Sequence, residues 1–296
     1  MTTTTQLSAR KSTTVRFFSP SRSVRTAFTA VDRTAPALAA RWAERIWFTL
    51  PRSPAPPLPA PPGGRPFTVD VDGGRVVGQV WGEGPPVYLL HGWAGHSGQL
   101  APFAAPLVGR GFRVVAFDAP SHGRSGPGRF GPRSSSIVEF AAALTAVVGA
   151  HGPAHALIAH SLGGTAAAVA VSDGLRAGRI ALLAPMASPL TYARQLGEVL
   201  GFGEPTYRRL IARVERRVGA PMRQFDLPEL GRAAAMPPTL IIHARTDAST
   251  PVSDGAAIAA AWPSARLHVT SGLGHRRLLR DPDVIAEVVG FLTEPD

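Results

Sequence analysis

The sequence contains no cysteine among its 296 residues. Disulfide bridges, thiolate metal sites and a cysteine nucleophile are therefore excluded. No apolar run reaches the roughly 18–20 residues that a membrane-spanning helix needs. Charged residues make up only 17% of the chain and hydrophobic residues 45%, so we expect a large buried core rather than global disorder.

Acidic residues are scarce as well, and the formal net charge is +11. Residues 1–65 hold ten Lys or Arg and two Asp or Glu, whereas residues 66–296 hold twenty-one and eighteen. The globular part is thus close to balanced, and its charge does not predict specific nucleic-acid binding. We interpret the abundance of Arg and Ala as a bias of genome composition.

The N-terminal region divides by composition. Residues 1–35 are predicted to be a disordered basic leader, because they are rich in Thr, Ser and Arg and show little periodicity. Their composition fits a bacterial leader, which we favour, or an organellar transit peptide, and we expect a cytoplasmic protein. Residues 51–65 are predicted to be a semi-rigid linker, since seven prolines occupy the fourteen positions from 51 to 64.

Between leader and linker, residues 36–50 are predicted to form an N-terminal helix. Pro36 suits its first turn. Its apolar side chains recur at helical spacing, at Leu38, Trp42, Ile46 and Trp47. The apolar face could pack on the body of the protein, which we favour, or anchor the chain to a membrane surface.

Residues 66–296 alternate between short apolar runs and segments of helical periodicity. We expect eight strands, at residues 67–71, 75–81, 87–90, 113–117, 156–160, 180–183, 240–243 and 266–269. The later runs are almost continuously apolar, as is typical of strands buried on both faces. The alternation predicts an α/β fold with a mostly parallel sheet flanked by helices.

One interval of about fifty residues interrupts this alternation after the sixth strand. A loop of that length in a compact domain is normally functional, so residues 187–235 are predicted to form a small helical lid. A helix is expected at residues 206–218, with apolar side chains on one face and arginines on the other. The arginines could be a solvated face, which we favour, or could select an anionic substrate.

The residues around Ser161 predict a nucleophile. Ala159 to Gly164 follow a strand and open a helix, and small residues stand two positions before and two positions after the serine. Such a turn lifts the hydroxyl clear of the sheet and places it at a helix N-terminus, where developing negative charge is favoured. The alternative is an ordinary N-cap serine.

A serine hydroxyl is a poor nucleophile without a base, and His275 is the best candidate. It lies in a Gly-rich loop after the last strand, at the carboxyl edge where sites in open α/β sheets lie. Asp247 follows the preceding strand and is the candidate acid that orients the imidazole. Asp254 is the alternative acid, although its place early in a helix suits a cap. No metal or cofactor is predicted.

The oxyanion formed in acyl transfer needs two hydrogen-bond donors. We expect the backbone N–H groups of Leu162, after the nucleophile, and of Trp93, in the loop after the third strand. Three neighbours of these motifs are expected to contact the substrate: His91, Gly92 and His160.

These motifs, in this order, resemble the α/β-hydrolase fold family over about residues 66–293. They are His91-Gly92-Trp93, Asp118 to Ser125, the Ser161 turn, Asp247 and His275. The resemblance implies an eight-stranded, mostly parallel sheet with a lid after the sixth strand. Ala159 departs from the family's usual glycine. The serine argues against the dehalogenase and epoxide-hydrolase branches, which the resemblance associates with an aspartate there.

The sequence thus predicts a cofactor-independent serine hydrolase that cleaves a small-molecule carboxylic ester or thioester through an acyl-enzyme. The alternatives are an acyltransferase with the same triad and a catalytically silent binding protein on the same fold. A specific nucleic-acid partner is not expected, a membrane surface is less favoured, and the oligomeric state is left open.

Overall fold

The computed structural model of the chain describes residues 20–51 and 62–294. The first part of the predicted leader, residues 1–19, and most of the predicted linker, residues 52–61, lie outside the described residues.

Eight strands form one sheet in the order β1-β2-β4-β3-β5-β6-β7-β8. Only β2 pairs antiparallel, with β1 and β4, and all other described neighbours are parallel. This confirms the predicted eight-stranded, mostly parallel sheet. The strands are β1 Arg65–Val71, β2 Gly74–Trp81, β3 Pro86–Leu90, β4 Arg113–Asp118, β5 Ala154–His160, β6 Ala177–Leu183, β7 Thr239–Ala244 and β8 Ala265–Thr270.

Helices cover both faces of this sheet, and a separate buried cluster lies under each face. Neighbouring strand residues alternate between the clusters, so that Leu89 belongs to one and Leu90 to the other. The helices of the body are α3 Ala104–Val108, α4 Ile137–His151, α5 Leu162–Ser172, α9 Val252–Ala261 and α10 Pro282–Thr293.

The segment predicted as a lid is helical and follows β6. It contains α6 Pro189–Leu200, α7 Glu204–Val218 and α8 Leu227–Ala233. The apolar face of α7 is buried through Leu210, Val214 and Val218. Its arginine face is not solvated throughout, because Arg213 and Arg217 both pair with Glu44 of an N-terminal helix.

Two helices precede the sheet, α1 Arg22–Thr34 and α2 Pro36–Phe48. The helix at 22–34 corrects the prediction of disorder for that part of the leader, residues 1–35, whereas the prediction for residues 1–19 lies outside the described residues. Tertiary packing stabilises this helix, since the side chain of Phe28 is fully buried and stacks on Trp42 with ring centroids 4.6 Å apart. Because this contact joins two helices, it does not appear as a periodic pattern of apolar residues within residues 22–34.

The second helix packs against α7 of the lid. Leu38, which its spacing placed on the apolar face, is 57% exposed, whereas Phe48 is buried. A membrane anchor would need its aromatic residues at the surface, but Trp42 is packed against α1. Within residues 20–51 and 62–294, no helix combines the length and apolarity needed to cross a membrane.

Candidate active site

The tight turn between β5 and α5 carries Ser161. Its backbone has φ 54° and ψ −124°, a conformation that residues other than glycine rarely adopt. Strain of this kind costs on the order of 1–3 kcal/mol and is concentrated at functional sites. A Cβ atom on Gly163 would lie only 2.3 Å from the carbonyl oxygen of His91, which explains why a small residue must stand there.

His275 and Asp247 form a hydrogen-bonded pair. The Nδ1 atom of His275 lies 2.8 Å from the Oδ2 atom of Asp247. The Asp247 side chain is fully buried, whereas the His275 side chain is 15% exposed. A carboxylate at this position makes Nδ1 the protonated nitrogen, which leaves Nε2 free to accept a proton.

The other oxygen of the Asp247 carboxylate is held by the backbone. Its Oδ1 atom accepts hydrogen bonds from the N–H groups of Ser249, at 2.7 Å, and Thr250, at 3.0 Å. Burial alone would raise the pKa of Asp247, but the hydrogen bond and charge of His275 and the two N–H groups outweigh it. The pKa of this carboxyl is therefore below its ordinary value, and it is ionised at neutral pH.

His275 lies beside the serine turn. The carbonyl oxygen of His275 accepts a hydrogen bond from Nε2 of His160 at 2.9 Å, and the two rings are 4.6 Å apart. His160 immediately precedes Ser161, so this contact ties the histidine loop to the turn. Among the described residues, Ser161 Oγ has no hydrogen bond with His275. In free enzymes this bond is often long and tightens only when substrate is present.

The two predicted oxyanion donors lie at the same place. Trp93 and Leu162 line one cavity together with Ser161. Within the described part of the chain, no hydrogen bond occupies either backbone N–H group. Gly92 brings the Trp93 loop close, because a Cβ atom at Gly92 would be 2.9 Å from the Cβ of Ser161.

Three residues expected to contact substrate, His91, Gly92 and His160, are buried and are not among the residues that line the cavity. His91 is fully buried, with Nδ1 bonded to the Gly92 carbonyl and Nε2 accepting from the Ala119 N–H group. His160 is 3% exposed and faces the His275 loop. These residues stand behind the turn and support it.

Asp118 and His122 have a positioning role that sequence reasoning missed. Asp118 accepts hydrogen bonds from the Ser97 and Arg124 N–H groups at 2.7 and 2.8 Å. His122 accepts from the Ala94 N–H group at 3.1 Å, and burial lowers its pKa to about 3, so it is neutral. Together they fix the loop that carries Trp93, and the only sequence signal was their place in a family motif.

Asp254, the alternative acid, is directed elsewhere. Its Oδ2 atom accepts hydrogen bonds from the Tyr192 hydroxyl at 2.7 Å and the Ala187 N–H group at 3.0 Å. It therefore holds the beginning of the lid, and the structure brings Asp247 rather than Asp254 to His275. In residues 20–51 and 62–294, no group of three or more His, Asp or Glu side chains is arranged to hold a metal ion.

A cavity of about 470 Å³ lies against Ser161. Sites for small molecules generally measure about 300–1,000 Å³. The surface of the cavity is mostly apolar and comes from α2, the segment before α4 and the lid. The apolar lining includes Trp42, Ile46, Trp47, Phe48, Leu50, Ile137, Met186, Leu196, Val199, Val214, Met222 and Phe225.

Residues 87–288 match the model of the alpha/beta hydrolase family. The chain belongs to this family. The fold and family expected from the motifs are thereby confirmed. The match begins at β3, so the N-terminal helices lie outside it.

The chain is similar in sequence to one curated enzyme and in fold to two solved structures. It is 35% identical over 99 residues to a non-heme haloperoxidase of Rhodococcus erythropolis, a stretch that is 33% of this chain and 35% of the relative. The chain thus matches about a third of that relative's length. An esterase from Rhodococcus sp. ECU1013 shares the fold with TM-score 0.57 and 22% identity, over 78% of this chain and 98% of its own. An N-acyl homoserine lactone degrading enzyme has TM-score 0.60 and 19% identity, over 76% and 99%.

Proposed function

We propose that this protein is a serine hydrolase that cleaves a carboxylic ester or thioester with a largely apolar acyl group. The observation that carries the proposal is the buried Asp247–His275 pair, bonded at 2.8 Å and tied to a strained turn bearing Ser161. A structural serine would have no need for an oriented imidazole and two unoccupied N–H groups beside it. Membership of the hydrolase family supports the same conclusion.

In the proposed mechanism, Ser161 Oγ attacks the carbonyl carbon while His275 Nε2 accepts its proton. Asp247 holds the Nδ1–H group and stabilises the imidazolium that results. The negative charge that develops on the carbonyl oxygen is stabilised by the Trp93 and Leu162 N–H groups. The tetrahedral intermediate then collapses, and the imidazolium returns the proton to the leaving alcohol or thiol.

The second half of the reaction uses the same groups in reverse. Water attacks the acyl group on Ser161, and its proton passes to His275. The C–O bond to the serine then breaks, the proton returns to Oγ, and the acid leaves. No other reactant is required, so the atoms balance as hydrolysis.

The cavity indicates the kind of acyl group. Few polar side chains line it, chiefly Arg45, Arg133, Ser135, Ser136 and Gln195, and the rest of its surface is aliphatic or aromatic. An alkyl or aryl chain attached to the reacting carbonyl would be buried there, at about 25 cal/mol for each Å² of apolar surface removed from water.

A fluorophosphonate tests this proposal, because the reagent needs both an activated hydroxyl and an oxyanion site. We expect one adduct in the intact mass of the protein, mapped to the peptide that contains Ser161. Labelling should disappear in Ser161→Ala and slow greatly in His275→Ala. Ser172→Ala, at the far end of α5, is the matched control and should label like the wild type.

Failure of labelling by small and long-chain fluorophosphonates alike, with no hydrolysis across ester and thioester panels, would refute the enzyme proposal. That result would leave the binding-protein alternative. Transfer of the acyl group to an added alcohol in preference to water would instead identify an acyltransferase.

A further inference from the structure

We propose that α2 is the specificity-determining wall of the cavity, and that Trp42 and Ile46 set the length of the acyl chain it accepts. This inference rests on the proposed function. The helix lies outside residues 87–288, the part of the chain that matches the hydrolase family.

The placement of α2 against the cavity is direct. Trp42 and Ile46 stand one helical turn apart, on the same face, and both line the cavity that Ser161 and Leu162 also line. Both are half-buried, unlike Ala39 and Ala43, which are fully buried. Their remaining exposed surface therefore faces the space where a chain attached to the reacting carbonyl would lie.

Contacts at the beginning of α2 and past its middle fix the helix to the lid. Glu44 is 9% exposed and forms an ion pair with Arg213 of α7, and Arg217 adds a second contact at 3.7 Å. The Thr206 hydroxyl, also on α7, donates a hydrogen bond to the Pro36 carbonyl at 3.3 Å. Breaking a pair that is partly shielded from water is costly, so α2 and α7 form one unit.

The other end of α2 is fixed to the body. The Leu50 N–H group donates to the Arg133 carbonyl at 2.8 Å, and the Arg133 guanidinium donates to the Leu50 carbonyl at 3.1 Å. The Ser135 N–H group donates to the Phe48 carbonyl at 3.3 Å. The helix thus crosses the cavity between two anchors and acts as a fixed wall rather than a loose cover.

A second apolar layer lies behind Trp42. Phe28 of α1 stacks on the Trp42 ring at 4.6 Å and is itself fully buried, and Phe202 lies 5.6 Å behind it. Removal of the Trp42 ring would therefore lengthen the cavity toward other apolar side chains instead of opening it to water. A deeper apolar cavity favours a longer acyl chain.

The expected effect follows from the burial of methylene groups. Each additional methylene that the cavity can bury should raise kcat/KM by about fourfold. Trp42→Ala should move the preferred p-nitrophenyl ester to longer chains and raise the long-to-short ratio of kcat/KM by about tenfold or more. Ile46→Trp should fill the cavity and move the preference to shorter chains.

The experiment measures kcat/KM for full-length protein on p-nitrophenyl esters from acetate to palmitate, and the rate of Ser161 labelling by short and long alkyl fluorophosphonates. Leu38→Ala is the matched control, because Leu38 lies on the same helix but is 57% exposed. Melting temperatures show that each variant is folded. A variant that is only destabilised should show lower kcat/KM for every ester. If α2 sets the accepted chain length, Trp42→Ala and Ile46→Trp should instead move the preferred chain length in opposite directions.

Opposite shifts with an unchanged Leu38→Ala profile would support the inference. If Ser161 labels normally but the chain-length profile of both variants matches that of the wild type, the inference is wrong and the proposed function stands. If one variant does not fold, the direction of the shift in the other decides. Absence of both labelling and ester hydrolysis in the wild type would refute the proposed function, and the inference with it.

Discussion

Replacing Asp247 with asparagine should remove most of the activity without changing the shape of the site. Backbone hydrogen bonds at this position determine the orientation of the asparagine amide. Oδ1 of Asp247 accepts two hydrogen bonds, from the Ser249 and Thr250 N–H groups at 2.7 and 3.0 Å. An amide NH₂ group there would face two other donors, so the amide oxygen must take this position.

The NH₂ group is then left where Oδ2 stood, 2.8 Å from Nδ1 of His275. Two donors cannot share one hydrogen bond, so Nδ1 must lose its proton and become the acceptor. The proton of the neutral ring moves to Nε2, and Nε2 can no longer accept the serine proton. When the triad aspartate of a serine protease is replaced by asparagine, this wrong tautomer lowers kcat by about 10⁴.

We therefore expect Asp247→Asn to lower kcat by about 10⁴, equivalent to about 5.5 kcal/mol of transition-state stabilisation. The KM should change little, because the carboxylate is buried and touches no part of the cavity. Hydrolysis of a p-nitrophenyl ester measures both constants, and ¹⁵N NMR of labelled histidine reports the tautomer of His275.

Asp254→Asn is the matched control for this prediction. Asp254 is also a buried carboxylate after β7, but it bonds to Tyr192 and Ala187 rather than to His275. Its replacement should lower kcat by much less than the replacement of Asp247. The reasoning would be refuted if Asp247→Asn kept kcat within tenfold of the wild type, or if Asp254→Asn were the more damaging change.

Further predictions concern the triad, the turn and the pH dependence of stability. Ser161→Ala and His275→Ala should each lower kcat by about 10⁵–10⁶, and the double variant should lose little more, because the residues act as a unit; steady-state kinetics checks this. Gly163→Ala should lower the free energy of unfolding by about 3 kcal/mol, because the added Cβ atom would clash with the backbone. Gly149→Ala, in α4, should raise it by about 0.5–1 kcal/mol, because no atom beyond the neighbouring residues and the helix's own backbone lies within 4 Å of the added Cβ; urea titrations measure both changes. Burial raises the pKa of Asp254, so the folded state favours the protonated carboxyl, and this contribution to stability is lost as pH rises through the raised pKa. The melting temperature of Asp254→Asn should therefore gain on that of the wild type as pH rises above the ordinary pKa range of an aspartate.

Local patterns made the sheet and the serine turn predictable. Parallel strands buried on both faces must be apolar throughout, so central strands such as β3 and β7 are recognisable as short apolar runs in the sequence. The turn at Ser161 needs small residues at fixed offsets, because the backbone of the His91 loop passes within reach of a Cβ atom at Gly163. Asp247 could be chosen over Asp254 because it directly follows β7, where the carboxyl edge of the sheet begins.

The burial of loop residues could not be predicted in the same way. His91 lies in an edge loop, like Trp93, yet its ring is turned inward by hydrogen bonds to Gly92 and to the distant Ala119. Which member of such a loop faces the cavity depends on partners that are far away in sequence. Trp93 and Leu162, whose role as backbone donors depends only on the path of the chain, line the cavity, whereas the ring of His91 does not.

The N-terminal helix shows how one sequence pattern can have two physical meanings. Trp42, Ile46 and Trp47 repeat at helical spacing, and an apolar face of this kind can pack, enter a membrane or bind a ligand. In the structure this face is only half-buried by protein, and the rest of it borders the cavity beside Ser161. Large apolar side chains gain free energy when their remaining surface is covered, and an acyl chain on Ser161 would cover it. The substrate would thus complete the burial of α2, a helix that is anchored at both ends and lies outside the part of the chain that matches the family.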